Sequence, residues 1–469
     1  MGFLLPSMLE MRTRGVRRQK NSHLSLDRPI HRLTDDAPLI DVAAPSTKHR
    51  HTLGYIWARC VQVAMDTPEE TSIITFPSNL TEHPTFQERN LLLEYGFRNF
   101  FAFKEGAIVS FRFDGNTPDT ISQGRPAATV MGVNGANAAG KTHLLKALHF
   151  LSWFGARSFD WKPESKMPIE PFGDSTEPSE FYAEFKIGEY TYRYEISLTD
   201  EKVLSEILHR TKSKRVTLFE RKGNAIAHTT KEFSLLSTLQ LRNNVSIIST
   251  ANQYQLPILG DVFAFFSNII TNVAYSGFHQ PLASINETSE FLKKAPTFHK
   301  FVEAFICSCD TGVSKIKIHE REGEKGKPIY YPTFIHNIGN KEYEVSTFEE
   351  SSGTKRLFSI LPDYLGTLAE GGLLVVDEFD LHLHPRILPK LIDLFTDEDT
   401  NPHNAQLIFT SHDSRIMDSL GRYRTYIVEK QDNESFAFRI DEVPGDMLRN
   451  DRPISPIYED GKIGGVPHV

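Results

Sequence analysis

The stretch GANAAGKT, Gly135–Thr142, decides how this chain is read. Glycine, four residues, then Gly-Lys-Thr is the pattern of a phosphate loop. The backbone N–H groups of Gly135, Asn137, Ala138, Ala139 and Gly140 can close around phosphate oxygens, Lys141 can reach the β and γ phosphates, and the Thr142 hydroxyl can ligate Mg2+. The apolar run AATVMGV before the loop reads as a buried strand. KTHLLKALHFLSWFGA after it sets Leu144, Leu145, Leu148, Phe150 and Leu151 near helical spacing. In that order the helix N-terminus adds positive potential behind the phosphates.

Downstream, LLVVDE delivers Asp377 and Glu378 to the end of a second apolar strand. Paired acids there divide the labour: Asp377 holds Mg2+, directly or through water, and Glu378 polarises the attacking water. A third strand, AQLIFTS, ends at His412, and in a parallel sheet all these strand ends lie on the ligand-binding edge, so His412 can approach the γ-phosphate. Between them, FDLHLHP offers Asp380, His382 and His384 at alternate positions. Three ligands spaced two apart converge only on an extended strand, whereas Pro385 followed by RILPKLIDLF predicts a helix start, so a transition-metal site is the weaker reading. FEESSGTKRL, Phe348–Leu357, places serines and a glycine where a helix from about Ser352 begins.

Outward from these motifs, 469 residues at 39% hydrophobic content suit a globular chain of two or three domains. No apolar run reaches membrane-spanning length and the N-terminus lacks an apolar secretory core, so a cytosolic protein without a membrane is expected. Cys60, Cys307 and Cys309 are too few for a disulfide framework, and Cys307-Ser308-Cys309 lacks a second pair at zinc spacing. The net charge of −8 argues against a free-standing non-specific DNA binder, but it is unevenly spread: residues 1–64 carry ten Lys/Arg against five Asp/Glu. Residues 1–90 read as a basic, flexible extension in which Met65 is a candidate later start. Residues 91–230 alternate and read as a lobe holding the phosphate loop and an antiparallel sheet. Residues 231–315 read as a helical insertion or lid without sustained heptads, and 316–469 as the lobe that carries the remaining motifs.

The order of motifs resembles the ABC-type ATPases, including RecF and the SMC proteins: phosphate loop, the serine-glycine signature ESSGTKR, an Asp-Glu strand, and a strand ending in a switch histidine. The compact bacterial ABC-like ATPases of the AAA family of ATP/GTP-binding proteins, among them RloA and the ATPase subunits of phage-defence systems, are more similar still. Their opening strand reads roughly Asn-Phe-Arg-Ser-Phe-Lys. Here Asn99-Phe100-Phe101-Ala102-Phe103-Lys104 keeps the frame and loses the arginine and serine. Their ending resembles YEDGKIGGVPHV, so the likeness spans Leu91–Val469. It implies an α/β ABC-type ATPase head with a helical insertion and no long coiled coil. It also implies ATP and Mg2+ as ligands, and a head-to-tail homodimer or higher oligomer in which Ser351 and Gly353 of one copy meet the nucleotide of another.

In that arrangement Asp380 sits at the module boundary and couples the sites. Gln240 and Gln253 are the candidates for a Mg2+-sensing glutamine. The implied role is an anti-phage sensor ATPase that controls an effector such as a nuclease and responds to a DNA or phage-protein trigger. The alternatives are a RecF-like DNA-repair ATPase and a scaffold cemented by ATP without turnover.

Overall fold

The computed structural model describes residues 90–279, 283–323, 326–444, 448 and 452–467. The basic extension, Met65 and Cys60 lie outside them. Two large sheets organise the described residues. The first runs antiparallel in the order β2-β1-β4-β5-β6-β7-β8: β1 (Leu91–Arg98), β2 (Ala107–Ser110), β4 (Ser179–Ile187), β5 (Tyr190–Leu198), β6 (Val203–Thr211), β7 (Arg215–Lys222) and β8 (Ala225–Thr229). Burial alternates along the C-terminal half of β5, whereas β1 is buried at all but Glu94 and Arg98.

The second sheet carries the motifs. Its order is β18-β17-β3-β16-β15-β9, built from β3 (Val130–Gly135), β9 (Ile269–Thr271), β15 (Leu373–Val376), β16 (Gln406–Thr410), β17 (Thr425–Gln431) and β18 (Glu434–Arg439). All neighbouring strands pair in parallel except β17 and β18, which form an antiparallel hairpin. β3, β15 and β16 are buried at every position, as expected of parallel strands covered on both faces.

Period-two alternation sends successive residues of each strand into different cores. Met131, Val133, Leu373, Val375 and Ile408 pack with α1 (Lys141–Arg157), α2 (Ile247–Gln253), α3 (Gly260–Ser267) and the antiparallel sheet. Val130, Leu374, Val376, Leu407 and Phe409 face the other way. There they meet α4 (Ile285–Lys294), α5 (Pro296–Ser308), α6 (Ser352–Glu370) and α7 (Leu388–Thr396). Gln406 ties the two sheets together: its amide donates to the carbonyls of Leu92 and Ala128 and accepts from the Leu92 N–H. A fully buried pair, Arg221 and Glu206 at 3.1 Å, anchors the start of α2, because Glu206 also accepts the Ile247 N–H. Both side chains are shielded from water, so removing either one leaves an uncompensated charge.

The α/β class and the antiparallel subdomain match the sequence expectation, and no described helix approaches coiled-coil length. Two local expectations change. The segment 231–315, read as helical, contains β9, which completes the edge of the parallel sheet beside β15. Three residues are too few to display a period, and the flanking FAFFSNIITN looks helical. The helix expected from Pro385 begins instead at Leu388, because His384–Ile387 first close a tight turn through Ile387 N–H to His384 O. A smaller antiparallel sheet, β12 (Val313–Glu322), β13 (Pro328–Ile338) and β14 (Lys341–Ser346), leads directly into the segment before α6.

Candidate functional site

The phosphate loop leaves β3 at Gly135 and enters α1 at Lys141. Two glycines are dictated by space. A Cβ on Gly135 would stand 2.2 Å from the Val428 carbonyl oxygen, and one on Gly140, where φ is +112°, would stand 2.7 Å from Ser435 Oγ. Ala138 accepts a left-handed φ of +60° without being glycine, a strained conformation of the kind found where a loop is shaped for a ligand. Asn137 and Ala138 form the exposed tip, while Ala139 and Gly140 are buried beneath it.

Lys141 folds back over the loop and donates from Nζ to the carbonyls of Gly135 (2.8 Å) and Ala136 (3.0 Å). Burial pushes its ammonium below the usual lysine range, and Asp377, Asp380 and Glu378 partly offset this by attraction. Thr142 Oγ1 donates to Asp377 Oδ2 at 2.8 Å. The hydroxyl and the carboxylate thus stand together although 235 residues separate them.

Asp377 is 2% exposed and is held from three sides. Thr410 Oγ1 donates to its Oδ1. Asn272 clamps its peptide: the Asp377 N–H donates to Asn272 Oδ1 (2.7 Å), and Asn272 Nδ2 donates to the Asp377 carbonyl (3.0 Å). Glu378 follows at φ +52°, and its N–H donates to Thr410 Oγ1 at 2.9 Å. A single threonine therefore braces both acids, and the backbone strain at Glu378 is carried by these bonds. The His412 side chain is exposed beyond the end of β16, and its N–H donates to Asp380 Oδ2 at 3.1 Å.

Beside the loop, Phe101 stands where the resemblance has an arginine. It stacks on His143 at 4.7 Å between ring centroids, and Lys146 Nζ lies 4.1 Å above its ring. Burial pushes the His143 pKa down to about 4, so this imidazole is neutral next to Thr142.

Lys141, Thr142, Asp377, Glu378, Asp380 and His412 thus converge on the carboxyl edge of the parallel strands. Ser351 and Gly353 are placed differently. Ser351 is the N-cap of α6, its Oγ accepting the Thr354 N–H at 3.1 Å. A Cβ on Gly353 would lie 3.2 Å from the His382 carbonyl, so the helix start abuts the loop that follows Glu378. Glu350, buried behind it, accepts from the Ser351 N–H (2.6 Å) and pairs with His336 Nε2 (2.7 Å), fixing the helix start to β13. Ser351 and Ser352 face solvent, and no hydrogen bond among the described residues joins Ser351 or Gly353 to the phosphate loop.

Gln240 and Gln253 are exposed and make no hydrogen bond to Asp377; the amide beside that acid belongs to Asn272. Thr410 and Asn272 are site residues that the motifs leave unmarked. The threonine carries a signal, a hydroxyl residue closing an apolar strand just before His412, whereas Asn272 has only the short triplet Ile269–Thr271 ahead of it. No group of three or more His, Cys, Asp and Glu side chains among the described residues is arranged to hold a metal ion. The donor set here is of another kind, one hydroxyl with one buried carboxylate, which suits Mg2+ completed by phosphate oxygens and water.

Residues 130–418 match the family described as "AAA domain, putative AbiEii toxin, Type IV TA system". The chain belongs to that AAA-domain family. The match begins with β3 and ends just beyond His412, so it encloses every motif of the site from Gly135 onward. A comparison with curated proteins finds no match. Similar solved structures include the Smc head bound to the C-winged helix domain of ScpA, at 12% identity and a TM-score of 0.41, covering 74% of this chain and 96% of that one. Another is the Smc head domain with an extended coiled coil bound to the C-terminal domain of ScpA derived from Pyrococcus furiosus, at 10% identity and 0.37, covering 75% and 97%. No described helix of this AAA-family chain is long and apolar enough to cross a membrane.

Proposed function

We propose that the protein is an ATP-hydrolysing conformational switch of the ABC type, similar to the RloA-like ATPases, and the sensor subunit of a bacterial anti-phage system that controls a partner effector. The observation that carries the nucleotide reading is the pairing of Thr142 with Asp377 across the ends of β3 and β15, with Lys141 and Glu378 as their immediate neighbours. Thr142 and Asp377 would hold Mg2+, which would supply neutralisation of the charge that develops on the phosphates. Lys141 leaves its two loop carbonyls to donate to phosphate oxygens. Glu378, fixed by its N–H on Thr410, accepts the proton of the attacking water, and His412 donates toward the γ-phosphate.

Ser351 and Gly353 have no role toward their own chain's phosphates in this scheme. They serve a second copy, in which the start of α6 faces the nucleotide head-on. ATP then closes a head-to-tail pair, hydrolysis reopens it, and Asp380, bonded to the His412 backbone, couples one site to the next. The toxin named in the family description supports a defence role over DNA repair, and the acidic overall charge supports it too.

Steady-state ATP hydrolysis tests the reading. Wild-type protein should turn over ATP, and Glu378→Gln should lose about 10³-fold in kcat, within the range typical of a general base, while still binding ATP. Equal rates in the two proteins would remove Glu378 from the role. A large stimulation by DNA would favour a repair ATPase over a defence switch.

A further inference from the structure

We propose that Asn134 is a positioning residue that fixes His412 to the phosphate loop; this rests on the ATPase reading above. Asn134 is 1% exposed and immediately precedes Gly135 at the end of β3. Its Nδ2 donates to two peptide carbonyls, Ser411 O and Asp413 O, each at 3.3 Å. These are the carbonyls that bracket His412. The N–H groups of the segment are held as well: Ser411 N–H donates to Val133 O (3.1 Å), His412 N–H to Asp380 Oδ2 (3.1 Å), and Asp413 N–H to Ser411 Oγ (2.9 Å). The residues on both sides of the histidine are therefore held by their backbone while the histidine itself is exposed. A ring on a fixed pivot has its reach set by whatever holds the pivot.

The chemistry of that hold selects an amide. One nitrogen with two N–H donors can serve two carbonyls at once. A carboxylate would face both carbonyls with like partial charge, and an aliphatic side chain would leave the buried Ser411 carbonyl without a donor and Asp413 O with the Ile416 N–H alone. Asn134 Oδ1 is buried with no hydrogen-bond partner, so the amide uses its donors and leaves its acceptor stranded. Because Gly135 is the next residue, a shift of the phosphate loop reaches His412 through a single side chain. The histidine's neighbours in sequence are thereby referenced to the element that grips the phosphates, and not only to their own strand.

The test is amide hydrogen exchange on the full chain with Asn134→Ser, read alongside ATP turnover. The amides of residues 411–413 should exchange about tenfold faster while those of α1 are unchanged, since local openings need not propagate to a separately packed helix. In turnover, kcat should fall about 10- to 100-fold with KM for ATP within about threefold, as expected when a group is displaced by about an ångström. In a His412→Ala background the same substitution should change kcat by less than about twofold. Unchanged exchange at 411–413 would overturn the proposal, as would an Asn134→Ser loss of equal size with and without His412. If Asn134→Ser does not fold, Asn134→Asp, which keeps the volume and removes both donors, is measured in the same way. Should wild-type protein fail to hydrolyse ATP, the ATPase reading falls while the exchange result still decides whether Asn134 holds this segment.

Discussion

The carboxyl edge of the parallel sheet and the start of α6 carry motifs of similar conspicuousness in the sequence, yet their surroundings are opposite. At the sheet edge most of the functional groups are bonded within the same chain: Thr142 bonds Asp377, Thr410 braces both acids, Asn272 clamps the Asp377 peptide, and Lys141 caps its own loop, while His412 faces solvent. At the helix start, the capping bond of Ser351 and the buried Glu350–His336 pair shape the backbone, while the serines themselves face solvent and Phe348 alongside is 97% exposed. The difference teaches that prewired chemistry and presented chemistry are distinguishable from hydrogen bonds alone. One region is largely wired within the chain, and the other is rigidly held but directed outward.

Substitutions should separate the two regions. The largest effect is expected from Lys141→Ala, which removes the charged donor of the phosphate loop and should weaken ATP binding by about 10²- to 10⁴-fold in a nucleotide-binding titration. Ser351→Arg should leave that titration within about threefold of wild type and yet lower turnover by about 10²-fold, the scale seen when one preorganised donor to a developing charge is lost. Thr410→Val tests how tightly the sheet edge is wired. It strands the Glu378 N–H and an Asp377 oxygen together, and should cost about 1–3 kcal/mol in denaturant unfolding along with about tenfold in kcat.

The smallest effect concerns the helix that links the regions. α6 contains Pro362 and, beside it, Asp363, whose Oδ1 is buried without a hydrogen-bond partner, as is Arg356 Nε about two turns earlier. Burial pushes the Asp363 carboxyl up to about 7 against the pull of Arg356, and Arg356 in turn feels Glu378. The folded state therefore holds a proton between about pH 4 and 7 that the unfolded chain has released, so this group makes stability fall as pH rises through that window. Asp363→Asn cannot ionise and should escape the loss. Its melting temperature relative to wild type should rise by a few degrees between about pH 5 and pH 8.

The parallel sheet was legible from the sequence because β3, β15 and β16 lie in short apolar runs that end on chemistry, and the shared carboxyl edge of parallel strands brings Lys141, Asp377, Glu378 and His412 together. The signature segment was legible as a helix start for the same local reason, since serine is a strong N-cap. What could not be read depends on register between distant segments. Asn272 meets Asp377, 105 positions away, only because β9, three residues inside a helical-looking stretch, pairs with β15. Glu350 is an ordinary acid until β13 brings His336 against it. Gln240 and Gln253 stand away from Asp377 for a related reason. Residue type and order along the chain single them out, whereas the position beside Asp377 is fixed by strand pairing.

The central claim is that the exposed start of α6 completes another copy's site, and mixing two defective chains tests it most directly. Lys141→Ala spoils the phosphate loop and Ser351→Arg spoils the signature, so each variant alone should be nearly inactive. A mixed head-to-tail pair contains one site with both defects and one with neither. Equal mixing should then restore ATP turnover to about a quarter of the wild-type rate, since about half of randomly assorted pairs are mixed and each has one intact site of two. A mixture no more active than the sum of its two components, or a Ser351→Arg protein that hydrolyses ATP at the wild-type rate by itself, would contradict a site shared between chains.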